Sequence, residues 1–283
     1  FNGDALSVDL HLHSVYSDGT DEPAALVEMA VEGGLSTMAL TDHDGFEGIE
    51  QARKAAAGRI NFIPGIELSL EWGGPGMHLL AWWVDDGSPL DRELEAIRSG
   101  RELRNIEIIA ALNEMGHPIT VDQVQRISEK GVIGRPHIAR ALMEIGAVAS
   151  VAEAFDRYLG SGQPAYRPRM RLTVERAVEL IAESGGVAAV AHPHTIANDA
   201  DGFTAAFRRF AELGITGVEC WYSEYPPEQR IDMARLAERF GLIPTGGSDY
   251  HGANKPGIAV GTGRGDLAVP DEAVAALEAR RQK

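Results

Sequence analysis

Apolar and polar residues alternate from the first positions of the chain. Leu6, Val8, Leu10 and Leu12 interleave with Ser7, Asp9, His11 and His13. That is the period of a strand, which sends successive side chains to opposite faces, so one face is aliphatic and the other carries Asp9, His11 and His13. Short apolar runs then alternate with stretches of helical period. A helix is expected over 22–32, a strand over 37–41, a helix over 48–57 and strands over 60–64 and 77–84. The rhythm resumes with a helix over 174–183, a strand over 187–191, a helix over 204–213 and a strand over 217–222. A helix over 228–240, a strand over 242–245 and a last helix from 271 complete it. Strands and helices in alternation predict a parallel α/β fold, and about seven such units predict a barrel.

Residues 91–171 break this rhythm. Leu94, Ile97, Leu103, Ile106, Ile109, Ala110 and Leu112 recur at roughly helical spacing, which predicts one long helix over 91–115. Shorter helices follow over 121–128, 136–144 and 151–158, and Gly160-Ser161-Gly162-Gln163-Pro164 makes a loop. The expected organisation is a barrel of residues 1–90 and 172–283 with an all-helical cap inserted at 91–171.

Composition narrows the classes. No apolar run approaches the ~20 residues of a membrane helix, so no membrane partner is expected. Cys220 is the only cysteine, which excludes intrachain disulfides and cysteine-rich zinc sites. With no basic-then-apolar leader, the expectation is a cytoplasmic enzyme. The net charge of −16 argues against a binder of long nucleic acid, which needs a basic surface. The charge is uneven, with a net of +1 over 91–171 and −17 over the rest. Acids that face bound cations reverse the local potential, so a small anionic substrate stays compatible. Nothing in the sequence predicts an oligomer.

The candidate chemistry lies at the strand ends. Polar residues at alternate positions of an apolar strand need a partner, because burying them unpaired costs several kcal/mol. His11 and His13 end the first strand, and Asp18 lies in the loop after it. Asp42 and His43 follow the second strand. Glu67 is expected just beyond the third, after Gly65-Ile66, and His78 opens the next, in an orientation that suits an antiparallel strand. His192-Pro193 closes 187–191, and Asp249 and His251 follow Thr245-Gly246-Gly247-Ser248. α/β barrels gather their chemistry at the C-terminal ends of the strands. A single histidine there is an ordinary polar residue; the inference rests on all of them occurring in order on successive strands. Imidazole and carboxylate together suit Zn, Mn or Fe. The donors exceed one tetrahedral site, and a carboxylate such as Glu67 can bridge two ions, so a centre of two or three metals is indicated.

These motifs strongly resemble the PHP (polymerase and histidinol phosphatase) superfamily of metal-dependent phosphoesterases. His11-Leu12-His13 with Ser14 and Asp18 resembles its first motif, and Thr41-Asp42-His43 its second. Gly65-Ile66-Glu67 with His78 is similar to the third, and Ala191-His192-Pro193 and Ser248-Asp249-Tyr250-His251 to the last. The resemblance spans 6–90 and 172–265. It implies a distorted (β/α)7 TIM-like barrel holding two or three divalent ions (Mn, Fe, Zn or Mg). By the family pattern His11, His13, Glu67 and Asp249 would take one ion, Glu67, His78 and His192 a second, and Asp18, His43 and His251 a third. The insertion carrying Gly134-Arg135-Pro136-His137 resembles the nucleotide-phosphatase branch, whose substrates include 3',5'-bisphosphonucleotides, AMP and short oligonucleotide ends.

The expected activity is hydrolysis of phosphate monoesters of small nucleotides by a metal-bridging hydroxide. Arg135 and His137 are candidate phosphate contacts, since an arginine fork matches phosphate oxygens; Arg135 also fits the start of a helix whose next residue is Pro136. His194, Lys255 and Arg264 are further candidate substrate contacts, and His251 is a candidate proton donor to the leaving oxygen. Arg167, Arg169 and Arg171 read as a solvated basic strip. Glu219 ends a strand and would face the barrel mouth or pair with an arginine. Trp221, Tyr222 and Tyr225 would stack a base or pack. Alternative activities are histidinol-phosphate hydrolysis and 5'-3' exonuclease action on short oligonucleotides. An amidohydrolase-like deacylase would need a bridging lysine on a strand, and none occurs between Lys54 and Lys130 or between Lys130 and Lys255. A non-catalytic metal-binding PHP module is the reading of another class.

Overall fold

The strands of this protein give little to water: β2 (Thr37–Leu40) is buried at every position, as a parallel strand covered on both faces must be. In the computed structural model, which describes residues 7–72, 76–128, 134–168 and 172–281, β2 lies between β1 (Ser7–Asp9) and β3 (Asn61–Leu70). Five further strands complete the sheet among the described residues: β4 (Met77–Trp82), β5 (Val187–Val190), β6 (Gly217–Tyr222), β7 (Ile243–Gly247) and β8 (Val269–Pro270). Their order is β7-β6-β5-β4-β3-β2-β1-β8. β4 runs antiparallel to both neighbours, as the position of His78 suggested, and β8 is antiparallel to β1.

The barrel closes on the residues that carry the candidate ligands. Beyond the regular ends of β1 and β7, Leu10 N donates to Gly246 O (3.3 Å), Asp249 N to His11 O (2.9 Å) and His13 N to Tyr250 O (3.0 Å). The first strand is therefore regular only to Asp9, rather than to His13 as expected, because the chain turns there to meet β7. The fold is an α/β barrel, distorted by the antiparallel β4 and by the two-residue β8, which the alternation had not suggested.

A second correction concerns β3. It does not stop near Pro64 but runs to Leu70, so Glu67 sits inside the strand opposite Leu80. Gly65 permits this: a Cβ there would lie 2.8 Å from Ala81 O, so glycine lets β4 approach and the ladder continue.

Helices fill the connections. α1 (Pro23–Glu32) and α2 (Ile49–Ala56) follow β1 and β2. A stretch of helices comes next: α3 (Pro89–Glu114), α4 (Val121–Ile127), α5 (Arg135–Glu144) and α6 (Val151–Ala154), which runs into a π-helical turn, Phe155–Leu159. α7 (Val174–Glu183), α8 (Ala200–Glu212), α9 (Pro227–Arg239) and α10 (Glu272–Glu278) restore the alternation. α7 shows the logic: Thr173 accepts from Arg176 N at its start, and Val174, Ala177, Leu180 and Ile181 form one buried stripe.

By compactness the chain divides into two units, Phe1–Leu94 with Leu172–Lys283, and Glu95–Arg171. The first has a core including Val8, Leu10, Ile63, Leu80, Trp82 and Val187. The second has its own, including Ile108, Leu112, Val124, Ile138 and Leu142, with no strand among its described residues. Arg169 and Arg171 lie outside the described residues.

Candidate metal centre

Six segments of the barrel unit deliver the candidate donors. The stretch after β1 carries His11 and His13, both fully buried, and the following loop carries Asp18. His43 follows β2 and bridges to Glu67 in β3; His78 begins β4; His192 follows β5; Asp249 and His251 follow β7. All nine residues named from the sequence converge in one region.

Glu67 is its centre. Glu67 Oε2 lies 3.1 Å from His11 Nε2 and 3.0 Å from His13 Nε2. Those two nitrogens are 3.0 Å apart and lie 3.4 and 3.5 Å from Asp249 Oδ1. Donors bound at 2.0–2.1 Å around a tetrahedral ion are separated by edges of about 3.4 Å, so the triangle of His11, His13 and Asp249 fits a small divalent cation, with Glu67 Oε2 against both histidines. Glu67 Oε1 faces the other way, 2.8 Å from His78 Nδ1 and 2.9 Å from His192 Nε2. A third group gathers at Asp18, whose oxygens lie 3.1 Å from His251 Nε2, 3.6 Å from His43 Nε2 and 3.5 Å from His13 Nδ1.

The charges respond to this crowding. Burial disfavours imidazolium at His11, yet Asp249, Glu219 and Glu67 outweigh it and hold the ring well above the usual histidine range. His13 is pushed up to about 9 against the same burial, by its bonds to Asp249 and Glu67. Burial would raise the carboxyls of Glu67 and Asp249, but the histidines, with Lys255 beside Asp249, hold both well below the usual carboxylate range. Asp18 falls to about 2 despite partial burial, chiefly through His251. Without a cation, protons on the histidines balance the acids; a divalent ion meets the same demand.

A layer of residues holds the donors. Asp9 is fully buried and accepts from Ser248 N (2.9 Å) and Gly261 N (2.7 Å), tying β1 to the loop before Asp249. Asp42 is not among the donors: it accepts from Ser14 N, Ser14 Oγ and Ser17 Oγ at 2.6–2.7 Å and shapes the loop leading to Asp18. Asp249 and His192 both have positive φ, 53° and 27°, a strained conformation for residues other than glycine and one that clusters at functional sites.

A PHP domain family match covers residues 9–220. The chain belongs to the PHP family. It is 34% identical over 251 residues to the 5'-3' exoribonuclease Rnm of Escherichia coli, covering 87% of this chain and 86% of that protein. It is 33% identical to the 3',5'-nucleoside bisphosphate phosphatase of Chromobacterium violaceum, covering 90% of each. A solved structure from Bifidobacterium adolescentis, described as a metal-dependent phosphoesterase, superposes with a TM-score of 0.68 at 29% identity, covering 99% of this chain and 98% of that one. This PHP protein is a phosphoric ester hydrolase of the metal-dependent kind. Among its described residues no helix is long and apolar enough to cross a membrane.

The remaining candidates fall in varied settings. Lys255 lines the mouth of the PHP site with Asn254 and donates to Asp249 Oδ2. His194 is exposed and bonds Tyr225 Oη through ring and backbone nitrogens. Arg264 lies 3.8 Å from Glu224. His251 turns Nδ1 to Asp249 O (3.0 Å) and Nε2 to Asp18 Oδ1 (3.1 Å). That is the arrangement of a ligand, and it competes with the acid role expected of the same ring. Arg135 opens α5, donates to Leu159 O (3.0 Å) and lies over the Phe155 and Tyr166 rings. His137 Nδ1 accepts from Gly134 N at the start of the same helix.

Of the alternatives left open for Glu219, the side chain takes the one toward the donors: it contacts His11 and the backbone of His192, and no arginine among the described residues. Tyr222 and Tyr225 are buried and pack, the second of the two roles open to them, and Tyr222 Oη donates to Asp249 Oδ2. Both Glu219 and Tyr222 contact candidate donors, contacts that the sequence had not assigned. The signal was available for Glu219: an acid within the apolar run Gly217-Val218-Glu219-Cys220, as unusual as Asp9 in its strand.

Proposed function

We propose that this PHP protein removes phosphate from a small nucleotide, of the AMP or 3',5'-bisphosphonucleotide type, using two or three divalent ions of Mn, Fe, Zn or Mg. The observation that carries the reading is the pair of Glu67 oxygens, one facing His11, His13 and Asp249 and the other facing His78 and His192. His11, His13, Glu67 and Asp249 would hold one ion, Glu67, His78 and His192 a second, and Asp18, His43 and His251 a third. Such ions, when bound, supply a lowered pKa for water and a Lewis acid for phosphoryl oxygens.

The side chains do the rest. Glu67, whose two oxygens face different donor groups, would be shared between two ions and so would tie them together. Lys255, at the mouth, offers an ammonium to the phosphate once it leaves Asp249. The cavity lined by Asp18, His43, His78, His192, Asn254 and Lys255 measures about 510 Å³, within the range of sites for small molecules. Arg135 and His137 are proposed as phosphate contacts on the family resemblance.

A second reading, 5'-3' exonuclease action on short oligonucleotides, is favoured by the likeness to the exoribonuclease of Escherichia coli. A panel separates the two: AMP, adenosine 3',5'-bisphosphate, histidinol phosphate and a 5'-phosphorylated dinucleotide, each assayed with Mn²⁺. Release of phosphate from the mononucleotides supports the first reading, and release of mononucleotide from the dinucleotide the second. Activity confined to histidinol phosphate would overturn both.

A further inference from the structure

Glu219 belongs to β6, two places after its first residue, Gly217, and it reaches two different donor groups. Its side chain is fully buried. Oε1 sits 3.0 Å from His11 Nδ1, and Oε2 accepts the backbone N–H of His192 at 2.7 Å. His11 Nε2 faces Glu67 Oε2, and the His192 ring faces Glu67 Oε1. One buried carboxylate therefore backs a residue on each side of Glu67.

The chemistry of imidazole makes the first contact directional. A neutral histidine has one N–H and one lone pair, and the bond made by one nitrogen decides which is which. A carboxylate has no hydrogen to give, so Glu219 makes Nδ1 the donor and leaves the Nε2 lone pair for the cluster. The second contact is conformational. His192 has φ +27°, a conformation that persists only where its surroundings hold it, and the bond from its own N–H to Glu219 is part of that hold.

We propose that Glu219 is a positioning residue serving two metal subsites at once: it sets the tautomer of His11 and pins the strained backbone of His192. This rests on the metal-site reading given above. A glutamine at 219 fills the same volume but cannot do both jobs. If its oxygen keeps the His192 N–H, its NH₂ faces His11 Nδ1 and drives the proton to Nε2, where the ligand lone pair should be. If it turns over, the His192 N–H loses its acceptor.

The test is Zn²⁺ and Mn²⁺ binding by titration calorimetry on the whole chain, wild type and Glu219→Gln, with ¹⁵N NMR of the histidine rings in the Zn²⁺-loaded wild type. The expected results are a ten- to a hundred-fold loss of affinity in the variant, the usual scale for a lost partner behind a metal ligand, and a protonated Nδ1 on His11 in the wild type. Equal affinity in both proteins would overturn the proposal, and so would a His11 with its proton on Nε2, a readout that does not depend on the variant folding. A wild type that binds neither ion would instead overturn the metal-site reading itself. A purely structural role for Glu219 would lower the melting temperature but leave the affinity of the folded variant unchanged.

Discussion

Lys255 Nζ lies 2.7 Å from Asp249 Oδ2, while Oδ1 of the same carboxylate turns to His11 and His13. Tyr222 Oη donates to the same Oδ2 at 2.7 Å, so the orientation of Asp249 has two supports. Removing one should leave the other in place. Lys255→Met is therefore expected to keep its metal and to raise KM at least tenfold, as the loss of a charged hydrogen bond to phosphate would. Metal content and steady-state kinetics check this. Loss of metal with an unchanged KM would make Lys255 a support for Asp249 and nothing more.

The raised pKa of His13 gives the metal-free protein a defined pH dependence. Its value of about 9 in the fold lies above the ~6.5 of an unfolded chain. Its contribution to stability is thus complete below pH ~6.5 and is lost as pH rises through about 9. At the acid end, the contribution of Asp18 is present above the ordinary aspartate pKa and is lost as pH falls toward 2. The chelated protein should therefore melt at progressively lower temperature between pH 6.5 and 9, whereas a metal-loaded sample, whose histidines are already deprotonated, should not show that slope. Melting curves across this range, with and without chelator, decide it.

Proton release tests the same electrostatics at fixed pH. Binding a cation must expel the protons that His11 and His13 carry at pH 7. Calorimetric titration with Mn²⁺ in buffers of different ionisation enthalpy should report net release. A heat independent of the buffer would mean that these rings are neutral before the metal arrives.

Gly247 stands where the barrel closes. A Cβ there would lie 2.4 Å from His11 Cβ and 2.5 Å from His11 N. Gly247→Ala should push the His11 segment away from β7 and weaken metal binding, while helices remote from the seam, such as α7, keep their circular dichroism. Unaltered metal affinity would show that the seam yields without moving His11.

The fate of Arg135 separates a local from a functional role. Its guanidinium bonds Leu159 O and covers two aromatic rings, so Arg135→Ala should cost about 1–2 kcal/mol of stability in its own unit. The proposed phosphate contact adds a rise in KM with metal content unchanged. A stability loss with wild-type kinetics would confine Arg135 to holding α5.

Much of this was legible in the residues. The order of His11, His13, His43, Glu67, His78, His192, Asp249 and His251 along alternating strands marked both the barrel and its donors, because a polar side chain buried in an apolar strand is costly until something pairs with it. What was not legible depended on pairing across the sheet. Pro64 and Gly65 read as the end of β3, but the ladder to β4 carries the strand to Leu70. β8 is two residues long, too short for any period to register. Lys255 lies in a loop, and nothing local in its sequence shows that its ammonium reaches Asp249.

The most direct test of metal-dependent hydrolysis at Glu67 is phosphate release from AMP and adenosine 3',5'-bisphosphate by protein stripped with chelator and then titrated with Mn²⁺, alongside Glu67→Gln. No release is expected from the stripped protein, and activity should return and saturate within about three equivalents of metal. Glu67→Gln, folded by circular dichroism, should neither bind the full complement nor turn over. Release that survives chelation, or full activity in Glu67→Gln, would contradict this reading of the site.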